Sequence, residues 1–439
     1  MAESARKVAL DCLLAGERQG AWSDGYLRNS VRRAGLDSRD AALAAQLTYG
    51  VLQNRILLDW HLARLSSVPV DKMEPAVRVS LQMGIYQLGF LDKIPPHAAV
   101  NESVEMVKAS SHNPKAAALV NAILRAFERE GQEERPQPEE LWIRYSHPEW
   151  LVRELAQTVP AEELEPLLAA DNTQPPLQAQ VNLIRTTPED LTRELEAEGV
   201  RAARHAWLPN CLELEGAGNL ENLDAFREGR FYIQDGAAKL SVTAASPAPG
   251  MRVLDVCGAP GGKSFAAAVA MGNQGEIISC DLHPHKIKLI STGAARLGLN
   301  SIVAMEKDGR KFDCAWENFF DLVIVDAPCS GLGVIRKKPD IRYKDPAPLK
   351  GLPKVQKEIL ANASRYVRPG GVLLYSTCTV LTRENEAVVR AFLDQGTEFK
   401  LETFDLPGPV GAVKTGMVTL WPHRHNTDGF FIAKLRKNS

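Results

Sequence analysis

Apolar residues recur at helical spacing through the early part of the chain. The period of three to four residues runs through residues 5–13, 43–51 and 77–88, and turn-forming residues separate these stretches. The breaks fall at Gly35, Pro69, Pro75, Pro95 and Pro114. The pattern predicts an all-α domain over residues 1–130.

The pattern changes after a charged segment. The stretch EGQEERPQP at 130–138 has no apolar period and contains two prolines, which is typical of a linker, and we place this linker at residues 131–145. Residues 146–240 then predict short strands and helices in the order βαββαβ, with strands at 177–183, near Val200 and Cys211, and at 230–234. This order favours a ferredoxin-like α+β module.

Strands of the buried type alternate with helices beyond residue 240. Apolar runs lie at 252–256, 276–280, 301–305, 321–325 and 371–376. Helical patterns lie between them, so we expect a parallel, doubly wound α/β sheet over residues 241–439. The runs MVTLW and GFFIAKL near the end predict an antiparallel pair at the sheet edge.

Composition limits the partners and the compartment. The net charge is -2, so binding to a nucleic acid requires a local basic surface. No apolar window is long enough to span a membrane, and we expect a cytoplasmic protein. The seven cysteines form an odd set without paired CxxC spacing, which predicts free thiols and neither disulfides nor a metal site.

A glycine-rich turn, DVCGAPGGK at 255–263, lies between the first strand of this sheet and the following helix. Such a turn lets the backbone approach a ligand closely at the carboxyl edge of a parallel sheet. A Walker A phosphate loop is one alternative, because Gly262, Lys263 and Ser264 match its end, but that motif needs a glycine where Cys257 stands. A tight turn without a ligand is the other.

Acidic residues follow the next two strands. Asp281 comes directly after the second strand, where a carboxylate can accept hydrogen bonds from the ribose hydroxyls of an adenosine-containing cofactor, and Asp308 ends the third strand similarly. Each could instead only cap the following helix. Together with the glycine turn they indicate a nucleoside cleft.

Two cysteines carry the most specific signal. Cys329 lies in DAPCSG after the fourth strand, and Cys378 lies in YSTCT after the fifth. A cysteine in such a fold is often a small buried hydrophobe. Two of them at adjacent strand ends, where the sheet exposes its carboxyl edge, favour reactive thiols instead.

DVCGAPGGK, DAPCSG and YSTCT resemble the cofactor loop, fourth motif and sixth motif of the RNA cytosine-5 methyltransferases. The resemblance covers nearly the whole chain and is strongest to the bacterial 16S ribosomal RNA enzymes of the Sun type, whose helical N-terminal domain is similar to the antiterminator NusB. The elements SHPEWL at 146–151 and VNAILR at 120–125 look like those of the same enzymes. One departure is Gly258, where the family usually has alanine and where we expect glycine to loosen the turn slightly.

The resemblance implies a Rossmann-like, S-adenosylmethionine-dependent methyltransferase domain preceded by the α+β module and a NusB-like RNA-binding domain. Asp281 would hold the ribose of the cofactor, Asp308 its adenine, and Lys263 its methionine end, with Asp326 also at the cofactor. The implied cofactor turn consists of Cys257, Gly258, Ala259, Pro260, Gly261, Gly262 and Lys263.

The implied substrate is 16S ribosomal RNA, or a small-subunit assembly intermediate, methylated at carbon 5 of cytosine 967 by a monomeric enzyme. Cys378 would be the attacking thiol, Cys329 would assist product release, and Asp326 would hydrogen-bond the cytosine. Two alternatives stay open: methylation of another RNA such as transfer RNA, and a noncatalytic NusB-like RNA-binding factor.

A basic run begins just after the Cys329 motif. Neutralisation of RNA phosphates beside the catalytic pocket is the functional interpretation, and a solvated lysine-rich loop is the alternative. The predicted RNA contacts are Arg336, Lys337, Lys338, Arg342 and Lys344. Glu384 opens the helix after Cys378 and could serve in catalysis or only complement the helix dipole.

Overall fold

The computed structural model describes residues 4–19, 23–131 and 134–439. Residues 132 and 133 of the predicted linker therefore lie outside the described residues. The chain forms two compact units. The first contains the residues up to Asn172 together with Lys337–Lys344, and the second contains Thr173–Arg336 and Asp345–Ser439.

The first unit is helical in its described part, as the sequence predicted. Gly35 follows the second helix with a positive φ of 62°, and Pro75 and Pro96 each begin a helix, where the fixed φ of proline is favourable. The helices are α1 (Ala5–Gln19), α2 (Ser23–Ala34), α3 (Ser38–Leu65), α4 (Pro75–Phe90), α5 (Pro96–Ser110), α6 (Ala116–Arg129), α7 (Leu141–Arg144), α8 (Glu149–Leu155) and α9 (Ala161–Ala170). Helix α4 is buried over most of its length and forms the centre of this core.

Two segments of the first unit come from outside the predicted helical domain. Helices α7, α8 and α9 belong to it, and so does Lys337–Lys344, which contains a 3-10 helix at Pro339–Tyr343. The start of the α+β module at residue 146 stays a prediction.

The second unit begins with the predicted βαββαβ order. Its elements are β1 (Leu177–Val181), α10 (Pro188–Ala197), β2 (Arg201–Arg204), β3 (Cys211–Glu215), α11 (Asp224–Arg227) and β4 (Phe231–Ile233). The strands form an antiparallel sheet in the order β2-β3-β1-β4. Its core joins Ala179 and Leu212 of the sheet to Leu191 of α10, which confirms the ferredoxin-like module.

A larger sheet follows. Its strands are β5 (Arg252–Asp255), β6 (Glu276–Asp281), β7 (Ile302–Glu306), β8 (Phe320–Asp326), β9 (Val367–Thr377), β10 (Phe399–Leu401), β13 (Met417–Leu420) and β14 (Phe430–Lys437), while β11 (Phe404–Leu406) and β12 (Gly411–Val413) form a separate pair. The helices are α12 (Gly236–Ala245), α13 (Gly262–Ala270), α14 (Pro284–Leu297), α15 (Pro346–Leu349), α16 (Leu352–Ser364), α17 (Glu386–Leu393) and α18 (Pro422–His425).

The strand order of this sheet is β7-β6-β5-β8-β9-β14-β10, and β13 also pairs with β14. Strands β5 to β9 are parallel, and β14 runs antiparallel to β9. Leu322 and Ile324 pack into the core on one face, and Val323 and Val325 into the core on the other, which explains the continuous apolar runs. The order reverses between β5 and β8, and a ligand crevice is expected at their carboxyl ends.

No helix within the described ranges is long and apolar enough to cross a membrane.

Candidate active site

The glycine turn lies at this reversal point, between β5 and α13. Gly261 precedes α13 with a φ of 117°, a conformation that favours glycine. Beneath the turn, the Ser264 hydroxyl donates to Oδ2 of Asp255 at 2.7 Å and lies 2.8 Å from the Ser279 hydroxyl. Burial raises the pKa of Asp255 to about 6.

Gly258 is packed more tightly than the sequence suggested. A Cβ atom at this position would lie 2.2 Å from Oγ of Ser279, and the Gly258 N–H donates to the carbonyl of Cys280 at 2.7 Å. The absent side chain allows the turn to pack directly on β6, and the expectation that glycine loosens the turn stays a prediction.

Lys263 and Asp326 form a partly buried ion pair at the crevice. Nζ of Lys263 lies 2.7 Å from Oδ2 of Asp326, and the Ser376 hydroxyl donates to Oδ1 at 2.9 Å. Burial lowers the pKa of Lys263, but the charge and hydrogen bond of Asp326 outweigh burial, so the net shift is upward and the amine stays charged. The turn after β5 and the end of β8 are thus joined.

Cys329 and Cys378 lie side by side. Asp326 of β8 pairs in register with Ser376 of β9, so the turns that follow the two strands are neighbours. The two Sγ atoms are 3.2 Å apart, and the Gly333 N–H donates to the Cys378 carbonyl at 2.9 Å. The predicted proximity of the two thiols is present in the structure.

The two thiols have opposite pKa shifts. The hydrogen bond from Cys329 lowers the pKa of Cys378 against the effects of burial and of the Asp326 charge, and the positive charge of Lys263 contributes to the lowering. The hydrogen bond to Cys378, together with burial, raises the pKa of Cys329 well above its usual value. Cys378 is therefore the thiol that ionises first.

The predicted cofactor carboxylates differ in their surroundings. Asp281 is buried at the end of β6, where Oδ1 accepts the His283 N–H at 3.2 Å and lies 3.5 Å from Nζ of Lys286. Asp308 is held by the Arg310 guanidinium at 3.0 and 2.9 Å, and this hydrogen bonding lowers its pKa. The role of Asp308 at the adenine stays a prediction.

The residues present fit an adenosine-containing cofactor. The contacts of Asp281 with His283 and Lys286 both use Oδ1, so a ribose hydroxyl could donate to Oδ2. Burial raises the pKa of Cys257 in the turn, which keeps that thiol neutral. Within the described ranges, no group of three or more histidines, cysteines or carboxylates could hold a metal ion.

Two of the five predicted RNA contacts are buried and occupied by protein groups. Nε of Arg336 lies 3.1 Å from the Asp428 carboxylate, and the Arg336 side chain is 2% exposed. Arg342 is fully buried in the helical unit, where it donates to the carbonyls of Gln53 and Ser146 at 3.1 and 3.0 Å. Neither can reach an RNA phosphate in this arrangement, so these two assignments are withdrawn.

The three lysines of the run are placed differently. Lys338 is exposed, and Lys337 and Lys344 are half-buried.

The sequence analysis assigned no role to Ser376, Gln356 or Asn385. Polar residues at buried positions beside a catalytic motif are a signal that could have identified them.

Family models match in the same order as the structural parts. A model for the NusB family matches residues 3–129, one for the RsmF/B-like ferredoxin-like domain matches 147–221, and one for the 16S rRNA methyltransferase RsmB/F matches 242–436.

Full-length relatives and a solved structure extend this likeness. A protein described as probable ribosomal RNA small subunit methyltransferase B of Bacillus subtilis (strain 168) is 37% identical, with 99% of each chain covered. The ribosomal RNA small subunit methyltransferase B of Escherichia fergusonii is 32% identical, with 92% of each covered. The crystal structure of PH0851 is 26% identical, with a TM-score of 0.81, and covers 100% of this chain and 99% of its own.

The fold, the site and these relatives define a Rossmann-like, S-adenosylmethionine-dependent methyltransferase. The chain belongs to the RsmB/F family of 16S rRNA methyltransferases, with a NusB-like N-terminal domain. It is therefore an rRNA methyltransferase, and the family resemblance seen in the sequence is confirmed.

Proposed function

We propose that this enzyme methylates carbon 5 of a cytosine in 16S rRNA, at position 967, through a covalent bond between Cys378 and carbon 6. The observation that carries the proposal is the pair of thiols 3.2 Å apart beside the Lys263–Asp326 ion pair. A methyltransferase that acts on an oxygen or an exocyclic nitrogen has no need of a paired thiol.

The chemistry of cytosine explains the need for a nucleophile. Carbon 5 is a poor nucleophile until a thiolate adds to carbon 6, which converts the ring into an enamine. S-adenosylmethionine, when bound, supplies the electrophilic methyl group that carbon 5 attacks. A base then removes the proton from carbon 5, the bond between carbon 6 and sulfur breaks, and its electron pair returns to Cys378.

The two thiols suit successive steps of this sequence. Cys378 has the lowered pKa and lies near the positive charge of Lys263, so it is the thiolate that adds to carbon 6. Cys329 keeps its proton until Cys378 is bound to the base. Once its neighbour is no longer anionic, Cys329 can lose its proton to solvent more readily, and the resulting thiolate can accept the carbon 5 proton.

Asp326 is placed to orient the target base. Its carboxylate accepts hydrogen bonds from Lys263 and Ser376 within the crevice, which fixes it at the carboxyl end of β8. A fixed carboxylate there can accept a hydrogen bond from the exocyclic amine of cytosine. Uracil carries a carbonyl at the equivalent position, so this contact would favour cytosine over uracil.

The proposed RNA contacts are now Lys337, Lys338 and Lys344, together with the NusB-like domain. Their ammonium groups would neutralise phosphates of the substrate, which is free 16S rRNA or a small-subunit assembly intermediate. We infer that the enzyme acts as a monomer in the cytoplasm, where ribosomal subunits are assembled.

Site mapping of the methyl group tests this function. The purified protein is incubated with S-adenosylmethionine and unmodified 16S rRNA, transfer RNA or small-subunit particles, and 5-methylcytosine is located by bisulfite sequencing. We expect one methylated cytosine in 16S rRNA with the unaltered enzyme and with Cys314→Ala, which removes an exposed cysteine. Cys378→Ala should give none. Methylation of transfer RNA alone, or of another atom, contradicts the proposal.

A further inference from the structure

A group of buried polar residues lies directly behind the two thiols. Glu384 and Asn385 are both fully buried, although they belong to the turn that follows Cys378 and precedes α17. A buried carboxylate and a buried amide are costly unless hydrogen bonds satisfy them.

The partners of Glu384 surround Cys329. Oε2 of Glu384 accepts the backbone N–H of Ser330, the residue after Cys329, at 2.9 Å. The same oxygen accepts Nε2 of Gln356 at 2.9 Å, and this amide also donates to the carbonyl of Pro328, the residue before Cys329, at 3.0 Å. Glu384 and Gln356 thus hold the backbone on both sides of one thiol.

The partners of Asn385 surround Cys378 in the same way. Oδ1 of Asn385 accepts the Thr377 hydroxyl at 2.5 Å, and Nδ2 donates to the Thr379 carbonyl at 2.9 Å. The hydroxyls of Ser330 and Thr379, each directly after a cysteine, are 2.8 Å apart. Two adjacent residues therefore hold the two thiol turns, one each.

We propose that Glu384 and Asn385 are positioning residues that set the two thiols for their successive tasks. Glu384 fixes Cys329 through Ser330 and Gln356, and Asn385 fixes Cys378 through Thr377 and Thr379. The proposal rests on the proposed function, in which Cys378 adds to the base and Cys329 assists release. Loss of Glu384 should therefore impair release, and loss of Asn385 should impair addition.

The test separates these two defects. Each variant is mixed with S-adenosylmethionine and 16S rRNA, the first turnover of methyl transfer is timed, and covalent protein–RNA species are quantified on a denaturing gel. Glu384→Asp keeps the charge but withdraws the carboxylate by one methylene, and Glu384→Gln keeps the length. We expect Glu384→Asp to slow release of the product more than the first turnover of methyl transfer, so that adduct accumulates, and Glu384→Gln to accumulate less.

Asn385→Ala should show the opposite behaviour. Its first turnover should slow on the order of 10- to 100-fold, since misplacing a reacting group by about 1 Å has that effect, and its adduct should not exceed that of the unaltered enzyme. Cofactor affinity by calorimetry should be preserved in every variant. A purely structural role would instead lower cofactor affinity, methyl transfer and release together, and would overturn the proposal.

Cys329→Ala, run on the same gel, separates a failure of the positioning role from a failure of the proposed function. If Cys329→Ala traps RNA and Glu384→Asp does not, the positioning role is wrong while the proposed function stands. If Cys329→Ala traps nothing, the proposed function fails. Should Glu384→Asp lose cofactor binding, Gln356→Leu replaces it, because it removes the contacts to Pro328 and Glu384, and absence of adduct with that variant contradicts the proposal equally.

Discussion

At the scale of single residues, the proposed chemistry depends on the close approach of two sulfur atoms. Two thiols 3.2 Å apart share a hydrogen bond, and placing a negative charge on both is unfavourable. One thiol therefore ionises more easily and the other less easily than a free cysteine. This asymmetry allows neighbouring residues of the same type to perform different steps.

Removal of Cys329 should raise the pKa of Cys378. The Cys378 thiolate loses the S–H group that stabilises it, so less thiolate is present at a given pH. In Cys329→Ala, the profile of Cys378 alkylation rate against pH should move to higher pH. Alkylation of the exposed Cys314 in the same sample provides the reference. A profile that stays in place, or moves to lower pH, contradicts the pairing.

Asp281→Ala should weaken cofactor binding. Up to two ribose hydrogen bonds to a carboxylate would be lost, each worth roughly 1.5 to 3 kcal/mol. Calorimetric titration with S-adenosylmethionine measures the change, and Glu306→Ala, which removes an exposed carboxylate at the end of β7, is the matched control. Equal affinities for the two variants would reject Asp281 as the ribose ligand.

The sequence predicted some of these residues and missed the contacts of others. Cys329 and Cys378 could be placed together because both follow apolar strands, and the carboxyl ends of parallel strands share one edge. The burial of Arg336 and Arg342 could not be predicted, because the sequence of a basic run is the same whether its side chains bind RNA phosphates or oxygen atoms of the protein. The contact between Gly258 and Ser279 depends on tertiary packing in the same way.

At the scale of secondary structure, the apolar runs in the sequence predicted the positions of the main strands of the large sheet. Strands β5, β6 and β8 and the second half of β9 are largely buried, so their residues are mostly apolar and the runs are easily recognised. Strand β7 lies at the sheet edge and is partly exposed. Membership of Lys337–Lys344 in the helical unit has no such signal. The buried Ile341 and the polar contacts of Arg342 and Tyr343 join this segment to the helices, and no hydrophobic period in the sequence indicates them.

Arg342→Met should destabilise the helical unit. The guanidinium donates to the Ser146 carbonyl and to Oδ1 of Asn172, and methionine would leave these two acceptors unpaired. The Gln53 carbonyl, which also accepts from Arg342, lies inside α3 and keeps its helical N–H partner. Each unpaired buried acceptor costs roughly 1 to 3 kcal/mol, so the free energy of unfolding should fall by about 2 kcal/mol or more.

Urea titration measures this change. Lys338→Met, an exposed change in the same segment, is the control and should stay within about 0.5 kcal/mol of the unaltered protein. Similar stabilities for the two variants would show that Arg342 does not hold this segment.

At the scale of the whole molecule, the net charge of -2 gives no general attraction to RNA. Affinity must therefore come from local basic surface, of which Lys337, Lys338 and Lys344 are the proposed part near the catalytic motif in sequence. The buried Arg336 and Arg342 contribute to the fold instead.

Reversing the charge of Lys337 and Lys338 should lower RNA affinity and flatten its salt dependence. Each phosphate contact contributes about 0.7 to 0.9 to the slope of log affinity against log salt concentration. Filter binding of 16S rRNA across a salt series measures the slope, and cofactor affinity should be unchanged. A slope equal to that of the unaltered enzyme would favour the alternative interpretation, in which the basic run is only a solvated, lysine-rich loop.

Covalent trapping distinguishes the proposed roles of the two thiols, in which Cys378 attacks the base and Cys329 assists its release. Cys378→Ala and Cys329→Ala are each incubated with S-adenosylmethionine and 16S rRNA and run on a denaturing gel. We expect a slowly migrating protein–RNA species with Cys329→Ala only, because its attacking thiol remains and elimination stalls. The same species with Cys378→Ala only would reverse the two roles, and full activity of both variants without any adduct would contradict the two-thiol mechanism.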